Sequence, residues 1–533
     1  MPGGLLNLVS TGQENIILNS NPKKSFFRAT YAKHTNFGLQ KFRINYNKEK
    51  ELSYINETEF TFKVARYADL LSDTFLCVTL PNIYSPIYIN NSGAPTQPYE
   101  FQWVKHLGTT MIKEIEIYAG GLTLAKYSGE YIHCIAHRDL NGTKKSIFDR
   151  MIGHTKEMYD PANSDSLNGV YPTSFPDINT TTNNPEPSIR QRKIYIPLYS
   201  WFSGPTKCAL PLVAIQYQEI FIKVTFRPVK ELYTIIDVEN ATSSVKNRIA
   251  PNPNSEFHSI KRFIRKPDIS EYDSNKFSNP TITTSNSWFS DIHLMSTYIF
   301  LDSAERNNFA RKPISYLIKQ VFENEFLKET GSKKIDVISA HCITNYMLRF
   351  RRDDAFKRNE WTNYTNWSFE NVRQQSLKET THFPITGEVG VYKKNMKNIL
   401  LDMAIIVNGD YRENVLDNGI YLYCEKYTKT NGNFKEGLYH YSFALNTDFY
   451  NYQPTGCMNT SKYNKVTFEY NTITVPINED ATATFICGND GELIGIRQDV
   501  TELNAYNFDF KVFEERYNVI TIQNGNISLM LTN

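Results

Sequence analysis

Short runs of alternating apolar and polar residues recur along the chain, and residues that favour turns separate them. A period of two places alternate side chains on opposite faces of a β-strand. Short strands at this spacing, with few helical periods between them, are typical of sandwiches and barrels. The sequence therefore predicts an all-β protein. The runs that show the pattern are 59–64, 112–117, 220–226, 400–407, 421–424, 466–470 and 518–522.

The chain has 533 residues, which is more than one hydrophobic core supports. Single cores stop growing near about 250–300 residues. Aromatic residues make up 14% of the chain, and aromatic side chains favour sheets. A stretch rich in Pro, Asn and Ser at about 236–285 is typical of a linker between halves of similar size. We therefore expect two consecutive β-sandwiches.

Helical patterns are brief. Tyr67–Leu71 and Gly129–Ile135 are two candidates, and Ser303–Phe309 is a third because its serine suits the N-cap of a short helix. Two long polar stretches, 157–191 and 350–395, carry few apolar anchors. We expect them to form extended loops, and loops of this length are usually functional or mobile.

Residues 196–226 form the most apolar long stretch, but they do not suit a membrane span. Three prolines interrupt any helix there, and Glu219 and Lys223 would lie in lipid. From Ile220 onward the residues alternate, which predicts a strand with one buried face. The N-terminus also lacks the basic and apolar segments of a secretory signal. These features predict a soluble protein made in the cytoplasm.

Charge and cysteines give weaker indications. Lys and Arg total 58 and Asp and Glu total 56, so a net charge of +2 argues against a nucleic-acid binder. The basic runs 261–266 and 349–352 are short, and we expect them to be solvated surface or interface ion pairs. The 7 cysteines are scattered without a Cys-x-x-Cys pair, which indicates buried free thiols in a reducing compartment.

Two motifs resemble catalytic or metal sites without completing them. His137-Arg138-Asp139-Leu140 is similar to the catalytic loop of protein kinases, but Lys144 stands where that loop needs a magnesium-binding Asn. His133 and His137 lie four residues apart near Cys134 and would share one face of a helix. Zinc needs three or four convergent ligands, and this helix offers two at most. We expect packed or surface histidines here.

Three further candidates are weaker still. Residues 331–334 lack the first glycine of a phosphate-binding loop. The adjacent carboxylates Asp353-Asp354 and Glu514-Glu515 are common surface features without a visible cleft. The sequence therefore predicts no catalytic, cofactor-binding or metal-binding residues, and no enzyme.

The stretch "IPLYSWFSGPTKCALPLVAIQYQEIFIKVTF" at 196–226 resembles the segment that closes the first jelly roll in major capsid proteins of nucleocytoplasmic large DNA viruses. Five other stretches are similar to this family's landmarks and occur in the family's order. The stretches 157–191 and 350–395 do not align with the family. The similar stretches begin "GGLLNLVSTGQ" at residue 3, "WVKHLGTTMIKE" at 103, "STYIFLDSAERNNFA" at 296, "YSFALNTDFYNYQPTG" at 441 and "RYNVITIQNG" at 516.

The resemblance implies two consecutive eight-stranded jelly rolls with short helices and long surface loops. It implies an N-terminal arm at 1–24, a first jelly-roll domain at 25–236, an inter-domain linker region at 237–285 and a second jelly-roll domain at 286–533. It also implies a homotrimer, because a two-lobed subunit under threefold symmetry approximates a hexagon that can tile an icosahedral shell.

The family further implies neighbouring capsomers and minor capsid proteins as partners, with the inner membrane layer beneath the shell as an additional candidate. No cofactor and no direct nucleic-acid contact are expected. The implied location is the outer capsid shell of a double-stranded DNA virus, made and assembled in the host cytoplasm. We expect the arm to run along the base of the trimer and to contact a neighbour or the inner layer, and the two long loops to lie on the outward rim.

Two alternatives stay open at this point. One is a minor or scaffold capsid protein of the same double jelly-roll ancestry, which copy number in the particle would separate from a major one. The other is a carbohydrate-binding or hydrolytic β-sandwich, since jelly rolls also host lectins and glycosidases. That alternative requires a cleft with paired carboxylates or exposed aromatic residues.

Overall fold

The fold is described from a computed structural model, and the statements below concern the residues that it describes. These are 2–46, 51–89, 95–164, 167–174, 185–238, 248–266, 288–367, 369–370, 397–451, 453–463, 465–473, 485–487, 493–496 and 506–531.

Two antiparallel sheets form the N-terminal half. The first has the order β1-β14-β3-β10, with β9 also paired to β3, and the second has the order β2-β11-β7-β8. Buried side chains of both sheets belong to one apolar cluster, so the sheets pack face to face. The strands are β1 (Phe37–Asn45), β2 (Thr58–Lys63), β3 (Leu70–Leu80), β7 (Ile112–Ala119), β8 (Leu122–Tyr127), β9 (Arg192–Pro197), β10 (Leu210–Pro211), β11 (Ile220–Phe226) and β14 (His293–Leu301).

Five short strands accompany these two sheets. Three of them form the sheet β13-β12-β6, and β4 pairs with β5. Their bounds are β4 (Ile87–Ile89), β5 (Pro95–Pro98), β6 (Gln102–Trp103), β12 (Tyr233–Ile236) and β13 (Arg248–Ile249).

The C-terminal half repeats the two-sheet arrangement. One sheet has the order β15-β25-β17-β20, joined by β21 and β26, and the other has the order β16-β22-β18-β19. Their facing side chains form a second cluster rich in Tyr and Phe. The strands are β15 (Ile314–Phe326), β16 (Ser332–Val337), β17 (Cys342–Arg352), β18 (Leu400–Val407), β19 (Asp410–Asp417), β20 (Leu438–Ser442), β21 (Met458–Asn459), β22 (Val466–Thr472), β23 (Phe485–Cys487), β24 (Leu493–Ile496), β25 (Phe508–Gln523) and β26 (Asn526–Leu529).

The described helices are short, as the sequence predicts. The longest, α4, begins at the predicted Gly129 and continues to Asp139. The bounds are α1 (Gly3–Val9), α2 (Ile16–Asn19), α3 (Leu107–Thr110), α4 (Gly129–Asp139), α5 (Gly142–Met151), α6 (Lys156–Tyr159), α7 (Ile260–Ile264), α8 (Ser303–Arg311) and α9 (Glu425–Lys429).

Three local predictions are wrong. Tyr67–Leu71 is not a helix, because Leu70 and Leu71 already belong to β3 and hydrogen-bond to β14. Helix α8 is capped by Asp302, whose carboxylate accepts from the Ser303 N–H, and not by the serine itself. Residues 420–424 form a π-helical turn and not a strand. Tyr421 and the adjacent Leu422 are both buried, so no alternation of faces exists there.

The strand β14 joins the N-terminal half although it follows the expected linker. All nine of its residues pair with β1, and most also pair with β3. Part of the expected linker packs as well, since Phe263 of α7 is fully buried in the N-terminal cluster. The expected start of the second domain at 286 therefore does not coincide with the division between the sheets.

The two long polar stretches are only partly loop-like. In 157–191, Tyr171 is buried and its hydroxyl donates to the Phe101 carbonyl. In 350–395, the segment 353–367 is largely buried, and the Asn359 side chain donates to two carbonyls of the N-terminal half. The expectation of an extended surface loop is wrong for 353–367, because its polar groups are paired inside the protein. Residues 371–396 lie outside the described part.

The prediction for 196–226 is confirmed. Three short turns lead from β9 to β11, where Ile220, Ile222 and Val224 are buried. Among the described helices, none has the length and apolar character needed to cross a bilayer. The thiol prediction holds in part: the six cysteines whose side chains the structure describes are free, and three of them are buried, but Cys424 and Cys457 are exposed.

Candidate functional site

The contact between the two halves is centred on helix α4. The Ser128 hydroxyl caps its N-terminus by accepting from the Tyr131 N–H, and the Ser128 N–H donates to Glu323 of β15 over 2.7 Å. At the other end, Gly432 lies so close that a Cβ there would be 2.1 Å from the Arg138 carbonyl oxygen. Ten of the eleven residues of α4 are buried. The helix is thus enclosed between the two halves.

Arg138 forms a buried ionic cluster across this contact. Its guanidinium donates to Glu515 of β25 over 2.7 Å and to the neighbouring Asp139 over 2.7 Å. Tyr131 and Asn345 also donate to Glu515, at 2.8 and 2.7 Å. Burial alone raises the pKa of Glu515, but the charge of Arg138 and these hydrogen bonds outweigh it and lower the pKa. The carboxylate is therefore ionised and joins the two halves.

Glu130 forms a second ionic cluster at the start of α4. It accepts from Arg349 at 2.9 Å, from Lys511 at 3.1 Å and from Arg351 at 3.3 Å. Burial raises the pKa of Glu130, and the three cations reverse this effect and hold the pKa well below its usual range. Arg349 and Arg351 of the basic run 349–352 thus form interface ion pairs, which is one of the two roles expected for the run.

A groove of about 820 Å³ runs beside Glu130 between β8 and β15. Its acidic side chains already have partners: Glu323 pairs with Lys511 at 2.8 Å, and Glu325 pairs with Arg349 at 2.7 Å. Glycosidases need a pair of carboxylates free to act on substrate. These acids are engaged in ion pairs, which weighs against a hydrolytic role for the groove.

The other catalytic-looking residues also serve as structural ion pairs. Asp354 binds both Arg352 and Arg358 at 2.7 Å, and Glu514 binds Arg516. Residues 332–334 begin β16 and do not form a phosphate-binding loop. Within the basic run 261–266, Arg262 is buried and stacks over Tyr99. The described chain does not bring these residues together in one cleft.

Three buried histidines form a cluster, of which the sequence indicated His133 and His137 but not His106. His133 and His137 share one face of α4, with ring centroids 4.6 Å apart. His106, just before α3, lies 4.3 Å from His133 by the same measure. Burial lowers the pKa of all three well below the usual range, so the rings are neutral. His106 lies 27 positions before His133 in an irregular turn, where no periodic pattern marks it.

The N-terminal segment 2–36 lies almost entirely exposed. Its helices α1 and α2 bury no residue. Exposed apolar side chains this numerous are typical of a surface that another molecule covers. They are Leu5, Leu6, Leu8, Val9, Ile16, Ile17, Leu18, Phe26, Phe27 and Tyr31.

Both halves of the chain match known protein families. Residues 25–302 match the family described as the major capsid protein N-terminus, and residues 305–528 match the large eukaryotic DNA virus major capsid protein family. The chain belongs to the large eukaryotic DNA virus major capsid proteins. The resemblance seen in the sequence is thereby confirmed.

The curated relatives of this chain are distant in sequence, but the similarity extends over much of the chain. The major capsid protein of Phaeocystis pouchetii virus is 26% identical over 64% of this chain and 57% of its own length. The chain thus covers little more than half of that relative. The major capsid protein of Paramecium bursaria Chlorella virus 1 is 23% identical over 98% of both chains.

Solved capsid structures share the fold. A chain of the PBCV-1 virus capsid superposes with a TM-score of 0.61 at 18% identity, over 96% of this chain and 100% of that one. The Faustovirus major capsid protein gives 0.60 at 13% identity, over 94% and 93%. The expected all-β double jelly roll is confirmed.

Proposed function

We propose that this chain is a major capsid protein whose copies form trimeric, pseudo-hexagonal capsomers that tile the icosahedral shell of a large double-stranded DNA virus. The observation that carries the proposal is the likeness to the chlorella virus major capsid protein, which extends over 98% of both chains. Two side-by-side jelly rolls per chain supply six lobes per trimer, and six lobes approximate a hexagon. An enzymatic role is not part of the proposal.

We propose two domains that divide near residue 302, together with an N-terminal arm. The pairing of β14 with β1 and β3 supports this limit, and the two family matches meet between 302 and 305. This proposal replaces the expected limits at 236 and 286. The arm at 1–24 is retained, since its described residues are almost all exposed.

The proposed partners are two further copies, neighbouring capsomers and minor capsid proteins, with the inner membrane layer as an additional candidate. The proposed location is the outer shell of the virion after assembly in host cytoplasm. A minor or scaffold capsid role is the second candidate, because a protein named probable capsid protein 4 of Acanthamoeba polyphaga mimivirus matches 88% of the chain at 21% identity. Counting copies per particle separates the two.

The capsomer proposal predicts the mass of the purified protein in solution. Light scattering coupled to gel filtration should give a particle of three 61.7 kDa chains. The trimer should persist on dilution, because obligate interfaces are large and apolar. If the protein stays monomeric at every concentration, including concentrations at which particles assemble, the capsomer proposal is wrong.

Removal of the arm is expected to impair contacts between trimers and to leave the subunit intact. Deleting residues 2–20 should abolish assembly into larger arrays, while the unfolding midpoint stays unchanged because these residues bury nothing in the chain. Electron microscopy of assembly reactions and thermal unfolding measure the two effects. A triple variant, L8S/I17S/L18S, should behave like the deletion. Tyr427→Ser, which changes another exposed apolar side chain, serves as the control.

A further inference from the structure

The histidine cluster His106, His133 and His137 is buried and lacks hydrogen-bond partners. Their side chains are 4, 1 and 8% exposed. Nδ1 of His106 and both ring nitrogens of His133 and His137 have no partner in the described structure. A buried polar atom without a partner costs about 1–3 kcal/mol. A bound species that accepts one lone pair from each ring would remove part of that cost.

The cluster differs from other buried histidines because ring nitrogens of its three members lie close to one another. His440 is also buried with unpartnered ring nitrogens, so the lack of partners alone does not indicate a site. In the cluster, by contrast, one nitrogen from each of three rings lies within 4.8 Å of the other two. Tetrahedral zinc with Zn–N bonds of about 2.0–2.1 Å holds its ligand atoms roughly 3.4 Å apart. Side-chain shifts of about 1 Å would bring the three nitrogens to that separation.

The backbone and the neighbouring ring hold His106 in position. His106 has a φ of +51°, in the left-handed region that non-glycine residues rarely adopt. Its N–H donates to Nδ1 of His154 over 3.2 Å, and the two rings stack with centroids 3.7 Å apart. Strained backbone of this kind is retained where the surrounding structure requires it, often at binding sites. Here it directs a third imidazole toward α4.

The charges around the cluster are partly balanced. Lys145 pairs with Asp149, and Glu370 pairs with both Lys105 and Lys435. Each of these three lysines has a carboxylate partner, which reduces its repulsion of a bound cation. Oδ1 of Asp149 lies 3.8 Å from Nδ1 of His106, which places a carboxylate beside the cluster as a candidate fourth ligand.

We propose that His106, His133 and His137 form a structural site for a divalent transition metal, with zinc as the first candidate. Three imidazoles are a donor set that suits Zn²⁺ and the neighbouring divalent metals, whereas Mg²⁺ and Ca²⁺ prefer oxygen ligands. The metal would join the turn before α3 to helix α4. Since α4 also carries the ion pairs to the C-terminal half, the bound metal would stiffen the contact between the domains.

The test uses the full-length protein, stripped with a chelator and then titrated with Zn²⁺. We expect one Zn²⁺ per chain by calorimetry and elemental analysis, and a higher unfolding midpoint after loading. His133→Gln and His137→Gln should each weaken zinc binding at least about 100-fold, because loss of even an outer-shell partner costs 10–100-fold. His440→Gln, the matched buried control, should bind zinc like the unmodified protein.

Cobalt substitution tests the ligands without any variant. Co²⁺ bound to the unmodified protein should give the intense visible absorption of a tetrahedral site, and zinc should displace it. X-ray absorption of the zinc-loaded protein should show three imidazole ligands. A stripped protein that takes up no zinc, or zinc uptake that is unchanged in both His133→Gln and His137→Gln, overturns the proposal.

Discussion

Replacing Glu515 with alanine is expected to lower the free energy of unfolding by about 3–5 kcal/mol, because it leaves a buried charge without its partner. Arg138 and Glu515 are both almost fully buried, and their ion pair spans 2.7 Å between the two halves. The variant would also deprive Tyr131 and Asn345 of their acceptor. We expect the contact at α4 to loosen before either sandwich unfolds.

Urea unfolding followed by tryptophan fluorescence measures this effect. Glu219→Ala is the control, since Glu219 forms an ion pair with Lys63 in which both side chains are more than half exposed. Exposed pairs contribute about 0–1 kcal/mol. The double variant R138M/E515L should not recover the loss, because it leaves the buried Asp139 carboxylate without Arg138 and leaves Tyr131 and Asn345 without their acceptor. A Glu515→Ala loss no larger than that of Glu219→Ala would refute the role of the cluster.

Asp354→Asn is the second change with a large expected effect. Asp354 binds Arg352 and Arg358 through both carboxylate oxygens, with all four contacts between 2.7 and 2.9 Å. Arg352 also stacks over the Tyr506 ring at 3.5 Å. A neutral amide removes the negative charge that both buried guanidinium groups share, and we expect a loss of about 3–5 kcal/mol.

The same carboxylate predicts a pH dependence. Burial raises the pKa of Asp354, but the two guanidinium groups outweigh it and hold the pKa well below its usual range. A carboxyl whose pKa is lower in the folded state stabilises the protein above its unfolded pKa of about 3.9, and this stabilisation is lost as the pH falls below that value. Stability measured between pH 6 and pH 3 should fall less steeply for Asp354→Asn.

Asp336→Asn is the matched control for both measurements. Asp336 pairs with Lys465, and both side chains are about half exposed. Hydrogen bonds from Lys465 and Thr467 lower the pKa of Asp336 as well, but this carboxylate is exposed, so we expect a small change in stability and a smaller change in the pH slope than for Asp354→Asn. If the pH slope of Asp354→Asn equals that of Asp336→Asn, Asp354 does not carry the acid sensitivity.

Strands such as β2 were predictable because they bury one face and leave the other more exposed. In β2 and β11 the buried side chains alternate along most of each strand, and this alternation is written directly in the sequence. Where two neighbours are buried together, as at Tyr421 and Leu422, the pattern carries no information on the type of element. The resemblance to the family came from six sequence landmarks that occur in the family's order. Local physical patterns such as periodicity do not provide such landmarks.

The ionic clusters and the histidine cluster were not predictable because their members are far apart in the chain. Arg138 and Glu515 are separated by 377 positions. Arg and Glu are residue types that ordinarily lie at the surface, so neither position stands out in the sequence. Helix α4 was expected, together with two of its histidines, but the third comes from a turn. A single sequence contains no periodicity that links His106 to α4. Only the folded arrangement of the sheets brings these groups together.

The late position of β14 has a consequence for how this protein is made. The strand lies between β1 and β3, yet roughly 210 residues separate its start from the end of β3. At a synthesis rate of about 5–20 residues per second, the ribosome needs about 10–40 seconds to deliver it. During that interval β1 and β3 are each a sheet edge without their neighbour, and such edges pair readily with other chains. Translation speed and chaperone supply, more than final stability, should therefore limit the yield of soluble subunits.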